Sequence, residues 1–133
     1  MTATDLVMRP LGGARVLVAA GAPDDSASLT AVLRLNGFDA REAHSADAVI
    51  SSVAEIRPSV LVTDLDLTDG DGCEFVSRVR RLPKAPAVVV VTGHTAGSIR
   101  RAALAAGAAA FLLKPADPIE LALVVERLSG GRD

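Results

Sequence analysis

The sequence predicts a single α/β domain in which helices cover both faces of one parallel sheet. Five short runs rich in valine, alanine and leucine have the length of strands, and segments with helical periodicity lie between them. Three of the five runs are apolar without interruption, which is typical of strands buried on both faces. Because the chain has 133 residues and half of them are apolar, we expect one compact domain with a substantial core.

The predicted elements alternate strictly between strands and helices. The strands cover residues 15–20, 38–43, 59–64, 87–92 and 108–113, and the helices cover residues 24–36, 46–56, 73–82, 98–106 and 118–128. The second strand, FDAREA, alternates polar and apolar residues, as edge strands do. Because βαβ crossovers are right-handed, the series favours a three-layer αβα, flavodoxin-like fold with a five-stranded parallel sheet in the order 2-1-3-4-5. We assign residues 15–128 to this domain, residues 1–14 to a flexible N-terminal tail and residues 129–133 to a C-terminal tail.

Prolines and glycines support these boundaries. Prolines stand at the starts of elements, at Pro23, Pro58, Pro86 and Pro118. Gly37 and Gly107 follow predicted helices, where a left-handed residue without a Cβ closes the helix. Apolar residues should form the buried side of the first helix (Leu29, Val32, Leu33 and Leu35) and of the last (Leu121, Val124, Val125 and Leu128).

Composition excludes several classes of protein. The formal charge of −2 gives little electrostatic support for binding to nucleic acid or to an anionic membrane. The single cysteine, Cys73, excludes an internal disulfide and a multi-cysteine zinc site. No apolar run reaches the ~20 residues that span a bilayer, and the first ten residues do not resemble a signal peptide. We therefore expect a cytoplasmic protein.

Polar side chains with complementary chemistry end three neighbouring strands of the predicted sheet. Asp64 ends the third strand, Thr92 the fourth and Lys114 the fifth. In open α/β sheets ligands bind beyond the carboxyl ends of the strands, where the strand order reverses. A carboxylate, a hydroxyl and an ammonium group are therefore expected to meet at one rim, and Gly93 beside Thr92 would leave room for a ligand.

The motifs VTDLDLTDGDG, VVVVTG and FLLKPAD, in this order and spacing, resemble the receiver domain of two-component response regulators, from about residue 14 to residue 128. The resemblance implies that Asp64 accepts a phosphoryl group from a histidine kinase or a phosphotransfer protein, and that the chain is a signalling module rather than an enzyme. Thr92 would hydrogen-bond the phosphoryl group and Lys114 would pair with its charge. Thr92 and the aromatic Phe111 would be the switch residues. The Asp64 carboxylate and the backbone carbonyl of Asp66 would be magnesium ligands.

One departure from the family pattern concerns magnesium. Members of the family end the first strand with two adjacent acids that hold the ion, but this chain has Ala20 and Gly21 there, in VLVAAGAPDDS. Asp24 and Asp25 follow Pro23 and are better explained as first-turn acids of a helix. Because magnesium relies on carboxylate oxygens, we expect weak or absent magnesium binding and slow or absent phosphorylation. Lys114 is then free to pair permanently with Asp64.

Two hypotheses about mechanism follow. In the first, the domain is a phosphoreceiver that uses Asp66 or Asp24 to support a cation. In the second, it is a phosphorylation-independent interaction module that binds a downstream protein through the face formed by helix four, strand five and helix five. Homodimerisation through charged residues of these helices stays open (Arg100, Arg101, Glu120, Glu126 and Arg127). Since no output domain follows residue 128, we expect action by docking and not by DNA binding.

Other classes of site fit the sequence less well. A nucleotide- or flavin-binding protein of the same fold would have to bind phosphate at AAGAPDD, but the chain lacks GxxxxGK[ST] and GxGxxG. A hydrolase built on Cys73, His44 or His94 has no evident triad, and His94 is better explained as an exposed loop residue. Of the remaining aspartates, Asp71 is expected to cap the third helix and Asp69 to lie in a turn.

Overall fold

The computed structural model describes residues 14–21, 23–67 and 71–130, apart from the side chains of residues 23–25 and of residue 130. In chain order the elements are β1 (Arg15–Ala19), α1 (Pro23–Leu35), β2 (Asp39–Ala43), α2 (Ala46–Ile56), β3 (Val60–Thr63), α3 (Gly72–Arg80), β4 (Ala87–Thr92), α4 (Gly97–Ala105), β5 (Ala110–Leu113) and α5 (Pro118–Gly130). All five predicted strands and all five predicted helices are present, with ends that differ by at most two residues from the predicted ones.

The strands form one parallel sheet in the order β2-β1-β3-β4-β5, which confirms the predicted topology. β2 lies at one edge of the sheet, as the sequence indicated, and its exposed residues are the polar Asp39, Arg41 and Glu42. β3 lies in the middle between β1 and β4, so the residues just beyond its carboxyl end face those of both neighbours.

Helices cover the sheet on both faces and create two apolar cores. On one face, α2, α3 and α4 pack on the sheet through residues such as Val53, Val76 and Ala103. On the other, α1 and α5 pack through Leu33 and Val125. The valines and leucines of β1, β3 and β4 alternate between the two cores and are almost fully buried. The uninterrupted apolar runs of the sequence therefore correspond to β1, β3 and β4, which helices cover on both faces.

Glycines and caps close the helices where the sequence indicated. Gly37 and Gly107 have φ angles of 90° and 116°, in the left-handed region that glycine adopts at low cost. Ser45 caps α2 by accepting a hydrogen bond from the Ala48 N–H.

Three predictions about the ends and faces of elements need correction. Leu35 is 87% exposed, because it lies two residues, or about 200°, around α1 from the buried Leu33. Ala14 was assigned to the N-terminal tail, but its carbonyl accepts a hydrogen bond from the Asp39 N–H. Ser129 was assigned to the C-terminal tail, but it lies in α5 and is buried. Residues 1–13 and 131–133 lie outside the described part of the chain.

Candidate functional site

The predicted site residues lie at one rim of the sheet, which is formed by the carboxyl ends of four neighbouring strands, β1, β3, β4 and β5. Asp64 follows Thr63, the last residue of β3, and its N–H donates to the carbonyl of Ala19 at the end of β1 (3.1 Å). The Lys114 N–H donates to the carbonyl of Thr92 (2.8 Å), which continues the pairing of β4 with β5. The backbone thus sets Asp64 beside the tip of β1, and Lys114 beside Thr92.

Asp64 and Lys114 form an ion pair across this rim. The Lys114 Nζ lies 2.5 Å from the Asp64 Oδ2, and the Asp66 N–H donates to the other carboxylate oxygen, Oδ1 (3.0 Å). The Asp64 side chain is 9% exposed and that of Lys114 is 29% exposed. Both oxygens of a nearly buried carboxylate are therefore engaged within the chain, and the pair is shielded enough for its attraction to exceed that of a surface pair.

Thr92 is fully buried at the end of β4. Its Oγ1 accepts a hydrogen bond from the His94 N–H (3.1 Å), which folds the chain around Gly93. A Cβ built on Gly93 would meet no atom within 4 Å, so the space above this residue is open. Thr92 therefore joins Asp64 and Lys114 at the rim through the backbone of Lys114.

The tip of β1 contributes no charged side chain. Ala20 is buried, and Gly21 lies beside the loop after β3, where an added Cβ would be in ordinary van der Waals contact with the carbonyl oxygen of Asp66 (3.7 Å). The resemblance to receiver domains implies that this carbonyl would be a magnesium ligand. The side chains of Asp24 and Asp25 lie outside the described atoms.

These donors fit a magnesium ion poorly. Magnesium prefers octahedral oxygen ligands and usually draws on one or two free carboxylates. Among the side chains that the structure describes at the strand ends, the Asp64 carboxylate is already bonded through both oxygens. Within residues 14–21, 23–67 and 71–130, no three histidine, cysteine, aspartate or glutamate side chains are grouped so that they could hold a metal ion.

The structure adds a contact that the sequence interpretation missed. The His94 Nε2 lies 3.0 Å from the Asp66 Oδ1, so the loop after β4 is bonded to the loop after β3. His94 is exposed, as predicted, but it is not without a partner. A signal was available, because Asp66 and His94 each follow a strand-end site residue, Asp64 or Thr92, by two positions.

His44 binds the other side of the rim. Its Nδ1 lies 3.3 Å from the carbonyl oxygen of Ala20, and its Nε2 lies 3.5 Å from the Glu42 Oε1. Glu42 in turn accepts a hydrogen bond from the buried Ser26 hydroxyl at the start of α1 (2.8 Å). These contacts connect β2, the tip of β1 and α1, and they support the neutral end of the site.

The acidic loop after β3 has a structural component. Asp71 caps α3, as predicted, by accepting a hydrogen bond from the Cys73 N–H (2.8 Å). Gly72 is required by sterics, because an added Cβ would lie 2.3 Å from the carbonyl oxygen of Leu65. Burial and the nearby Asp71 charge raise the pKa of the Cys73 thiol, which disfavours a nucleophilic role. Asp69 lies outside the described residues.

Phe111 lies on β5, on the face of the sheet that carries α4. It is half-buried and packs against the core formed with α2, α3 and α4. It also lines a cavity of about 340 Å³ together with Leu113, Arg100 and Glu120. The predicted switch residue is therefore in contact with both the core and the surface of α4, β5 and α5.

The sequence model of the family described as "response regulator receiver domain" matches residues 16–126 of this chain. The chain belongs to this family. Receiver domains function in two-component signalling, where they interact with histidine kinases and downstream effectors. The resemblance that the sequence motifs suggested is thus confirmed at the level of the family.

Several relatives align over most of the chain. An uncharacterized 14.6 kDa protein from the sodA1 3′ region of Leptolyngbya boryana is 32% identical over 122 residues, which cover 90% of this chain and 93% of that protein. The transcriptional regulatory protein FixJ of Rhizobium meliloti is 33% identical over 102 residues, which cover 77% of this chain and 50% of FixJ. The aligned region thus spans half of FixJ, and a similar match covers 84% of this chain and 25% of the nitrogen assimilation regulatory protein NtrX of Azorhizobium caulinodans.

A solved structure has the same fold. The CheY-like receiver domain protein of Methanospirillum hungatei superposes with a TM-score of 0.81 at 21% identity, covering 89% of this chain and 94% of that protein. At this identity the likeness confirms the flavodoxin-like fold alone. In the described part of the receiver domain, no helix has the length and apolarity needed to cross a membrane.

Proposed function

We propose that this receiver domain signals as an interaction module whose conformation does not depend on phosphorylation. The observation that carries the proposal is the Lys114–Asp64 ion pair opposite a neutral β1 tip. The ammonium group occupies one carboxylate oxygen, and the Asp66 N–H occupies the other. The lysine that would pair with a phosphoryl group is thereby bonded to the unmodified aspartate.

The neutral β1 tip stabilises the Lys114–Asp64 ion pair, because it places no competing carboxylate beside it. Two acids beside Asp64 would compete for Lys114 and would repel the Asp64 carboxylate, at up to about 4 kcal/mol for each close pair at an effective dielectric near 20. Ala20 and Gly21 exert no such force. The pair therefore stabilises a single arrangement of the loops after β3 and β5, and a change at Asp64 is not needed to reach it.

The surface formed by α4, β5 and α5, the α4–β5–α5 face, is the part of the domain that we propose for partner binding. Two of its elements, β5 and α5, carry three large exposed apolar side chains: Leu113 (47%), Ile119 (72%) and Leu123 (60%). Exposed apolar patches are characteristic of protein interaction sites. Since Lys114 follows Leu113 directly, the ion pair and this face share one strand end, which provides a short structural connection between them.

A second candidate function is phosphoacceptance by Asp64. It is supported by the location of Asp64 at the tip of the central strand, by the buried Thr92 on the neighbouring tip, and by the open space above Gly93. A carboxylate is a competent nucleophile for phosphoryl transfer when the charge on the transferred group is neutralised. The same site residues serve both candidates, so only a chemical experiment separates them.

The experiment is incubation with acetyl phosphate and magnesium followed by intact-protein mass measurement. The proposal predicts that the protein retains its mass, and that the variant Ala20→Asp/Gly21→Asp gains the mass of one phosphoryl group. Adding Asp64→Asn to this variant should remove the gain, which identifies the acceptor. If the unmodified protein gains the phosphoryl mass at a rate similar to that of the double variant, and Asp64→Asn abolishes it, the second candidate is correct and the first is rejected.

A further inference from the structure

A concave site, which we call the basal pocket, lies at the amino-terminal ends of the strands, on the side of the domain opposite Asp64. It lies where α2 and α3 end and the chain enters β3 and β4, and its volume is about 310 Å³. The apolar side chains that line the pocket include Ile50, Val53, Leu82 and Pro83. Its charged lining residues, which we call the rim cations, are Arg57 and Lys84. Apolar concavities of a few hundred Å³ with a few charged groups at the edge are typical binding sites.

The wall of the basal pocket is held by the core. Val53 is 3% exposed and belongs to the core between the sheet and α2, α3 and α4. Ile50 and Leu82 are half-buried and pack against the same core. The pocket is therefore preformed, and a ligand would not have to organise its wall at an entropic cost.

The two rim cations stand at positions where the backbone favours glycine. Arg57, which closes α2, has a φ of 48°, and Lys84 in the connection to β4 has a φ of 54°. Side chains with a Cβ occupy this region at an energetic cost that glycine avoids. The helix dipole accounts for a cation at Arg57, but it does not account for Lys84. Non-glycine residues held in this way are frequent at functional sites.

Neither rim cation is neutralised by its surroundings. Among the described residues, the side chains of Arg57 and Lys84 have no hydrogen bond or ion pair, and Glu55, the closest acid in sequence to Arg57, pairs with neither. Three arginines follow one another closely at the same end of α3, namely Arg78, Arg80 and Arg81. The basal edge is thus locally cationic although the whole chain has a formal charge of −2.

We infer that the basal pocket docks an acidic segment of a partner protein, which inserts one apolar side chain between Arg57 and Lys84. The cationic rim selects carboxylates, and the concave apolar wall selects a protruding aliphatic group. A membrane would need a protruding apolar surface on this chain instead. A single-stranded nucleic acid would need aromatic platforms for its bases, and none of the side chains that line the pocket is aromatic. The site is separate from the rim that carries Asp64.

The test is a titration of the ¹⁵N-labelled chain with a synthetic octapeptide, acetylated and amidated, that has two central leucines and three glutamates on each side. Amide shifts are expected to change in a saturable way around Val53, Leu82 and Lys84, at peptide concentrations up to about 5 mM. A peptide with lysines in place of the glutamates, and one with glycines in place of the leucines, should bind at least about fivefold more weakly. An oligothymidine of the same charge serves as the nucleic-acid arm.

Glycine variants separate binding from folding. Arg57→Gly and Lys84→Gly remove the charges and suit the backbone, so both variants should unfold at a urea concentration no lower than the unchanged chain does. Each should weaken peptide binding about threefold to tenfold, whereas Arg101→Gly on α4 should weaken stability but not binding. The inference is overturned if the acidic peptide causes no saturable change at the basal pocket, if both glycine variants bind it with unchanged affinity, or if the lysine peptide or the oligothymidine binds there equally well.

Discussion

Removal of the Lys114 charge should destabilise the fold more than removal of the Asp64 charge. Lys114→Met keeps most of the side-chain volume but leaves a carboxylate that is 9% exposed without its counter-ion. Losing one partner of a fully buried pair costs about 3–5 kcal/mol. Because water reaches Lys114 (29% exposed), and because Asp64 retains the hydrogen bond from the Asp66 N–H, we expect about 2 kcal/mol for Lys114→Met and about 1 kcal/mol for Asp64→Asn.

A double-mutant cycle separates the free energy of the ion pair from the contributions of solvent exposure and of the Asp66 hydrogen bond. Two unit charges 4 Å apart attract by about 4 kcal/mol at an effective dielectric near 20, and desolvation offsets part of that attraction. We therefore expect a coupling free energy of about 1.5 kcal/mol between Asp64→Asn and Lys114→Met. The chain has no tryptophan or tyrosine, so unfolding in urea should be followed by far-ultraviolet circular dichroism.

The sign of the Asp64→Asn effect is the most informative result of the cycle. In a site with further acids, neutralising one carboxylate relieves repulsion and raises the free energy of unfolding. Opposite the neutral Ala20 and Gly21, the same substitution removes the attraction between Asp64 and Lys114, so the free energy of unfolding should fall. A stabilising effect of Asp64→Asn, or a coupling free energy below about 0.5 kcal/mol, which is within the usual error of additivity, would refute the reasoning.

Further predictions concern the loop after β3. Gly72→Ala should lower the free energy of unfolding by about 2–4 kcal/mol, because the added Cβ would lie 2.3 Å from the Leu65 carbonyl oxygen. Gly93→Ala adds a Cβ in open space and should change the free energy of unfolding by less than about 0.5 kcal/mol. Equal effects of the two substitutions in urea unfolding would be inconsistent with the backbone positions of Gly72 and Gly93. Asp71→Ala should cost about 1 kcal/mol through loss of the α3 cap, and Asp71→Asn should cost little because asparagine also caps. Burial and the Asp71 charge raise the pKa of the Cys73 thiol, so less thiolate is present at pH 8 than for a free cysteine. Alkylation of Cys73 by iodoacetamide should therefore be slow, and it should be faster in Asp71→Asn. An unchanged alkylation rate in that variant would exclude the charge effect.

Most of the fold was predictable because its signals are local. Uninterrupted apolar runs identified the buried strands, alternation identified β2 as the edge, and glycines after helices marked caps that the φ angles confirm. Leu35 was placed on the wrong side of α1 because it was grouped with Leu33 by composition, while the helical angle between them puts it in solvent. The extension of α5 through Ser129 was missed because its burial depends on packing, which no local signal encodes.

The site was predictable to the level of single strand ends. Topology alone brings Asp64, Thr92 and Lys114 to one rim, since parallel strands share their carboxyl edge. The choice of side-chain partners was less accessible to sequence reasoning. Thr92 bonds to the His94 backbone and His94 bonds to Asp66, because loops that follow adjacent strands curve over the rim and meet there. Such contacts depend on loop conformation, for which residue type gives only a weak indication.

A magnesium titration of the unchanged chain beside Ala20→Asp/Gly21→Asp tests the central claim most directly. If the neutral β1 tip leaves Asp64 paired with Lys114, the Asp64 carboxylate is unable to serve a metal ion. We therefore predict weak magnesium binding to the unchanged chain and an affinity at least about tenfold higher, or 1.4 kcal/mol, in the double variant. Calorimetry and the amide shift of residue 64 measure both affinities. Equally tight binding by both proteins at sub-millimolar magnesium would contradict this prediction.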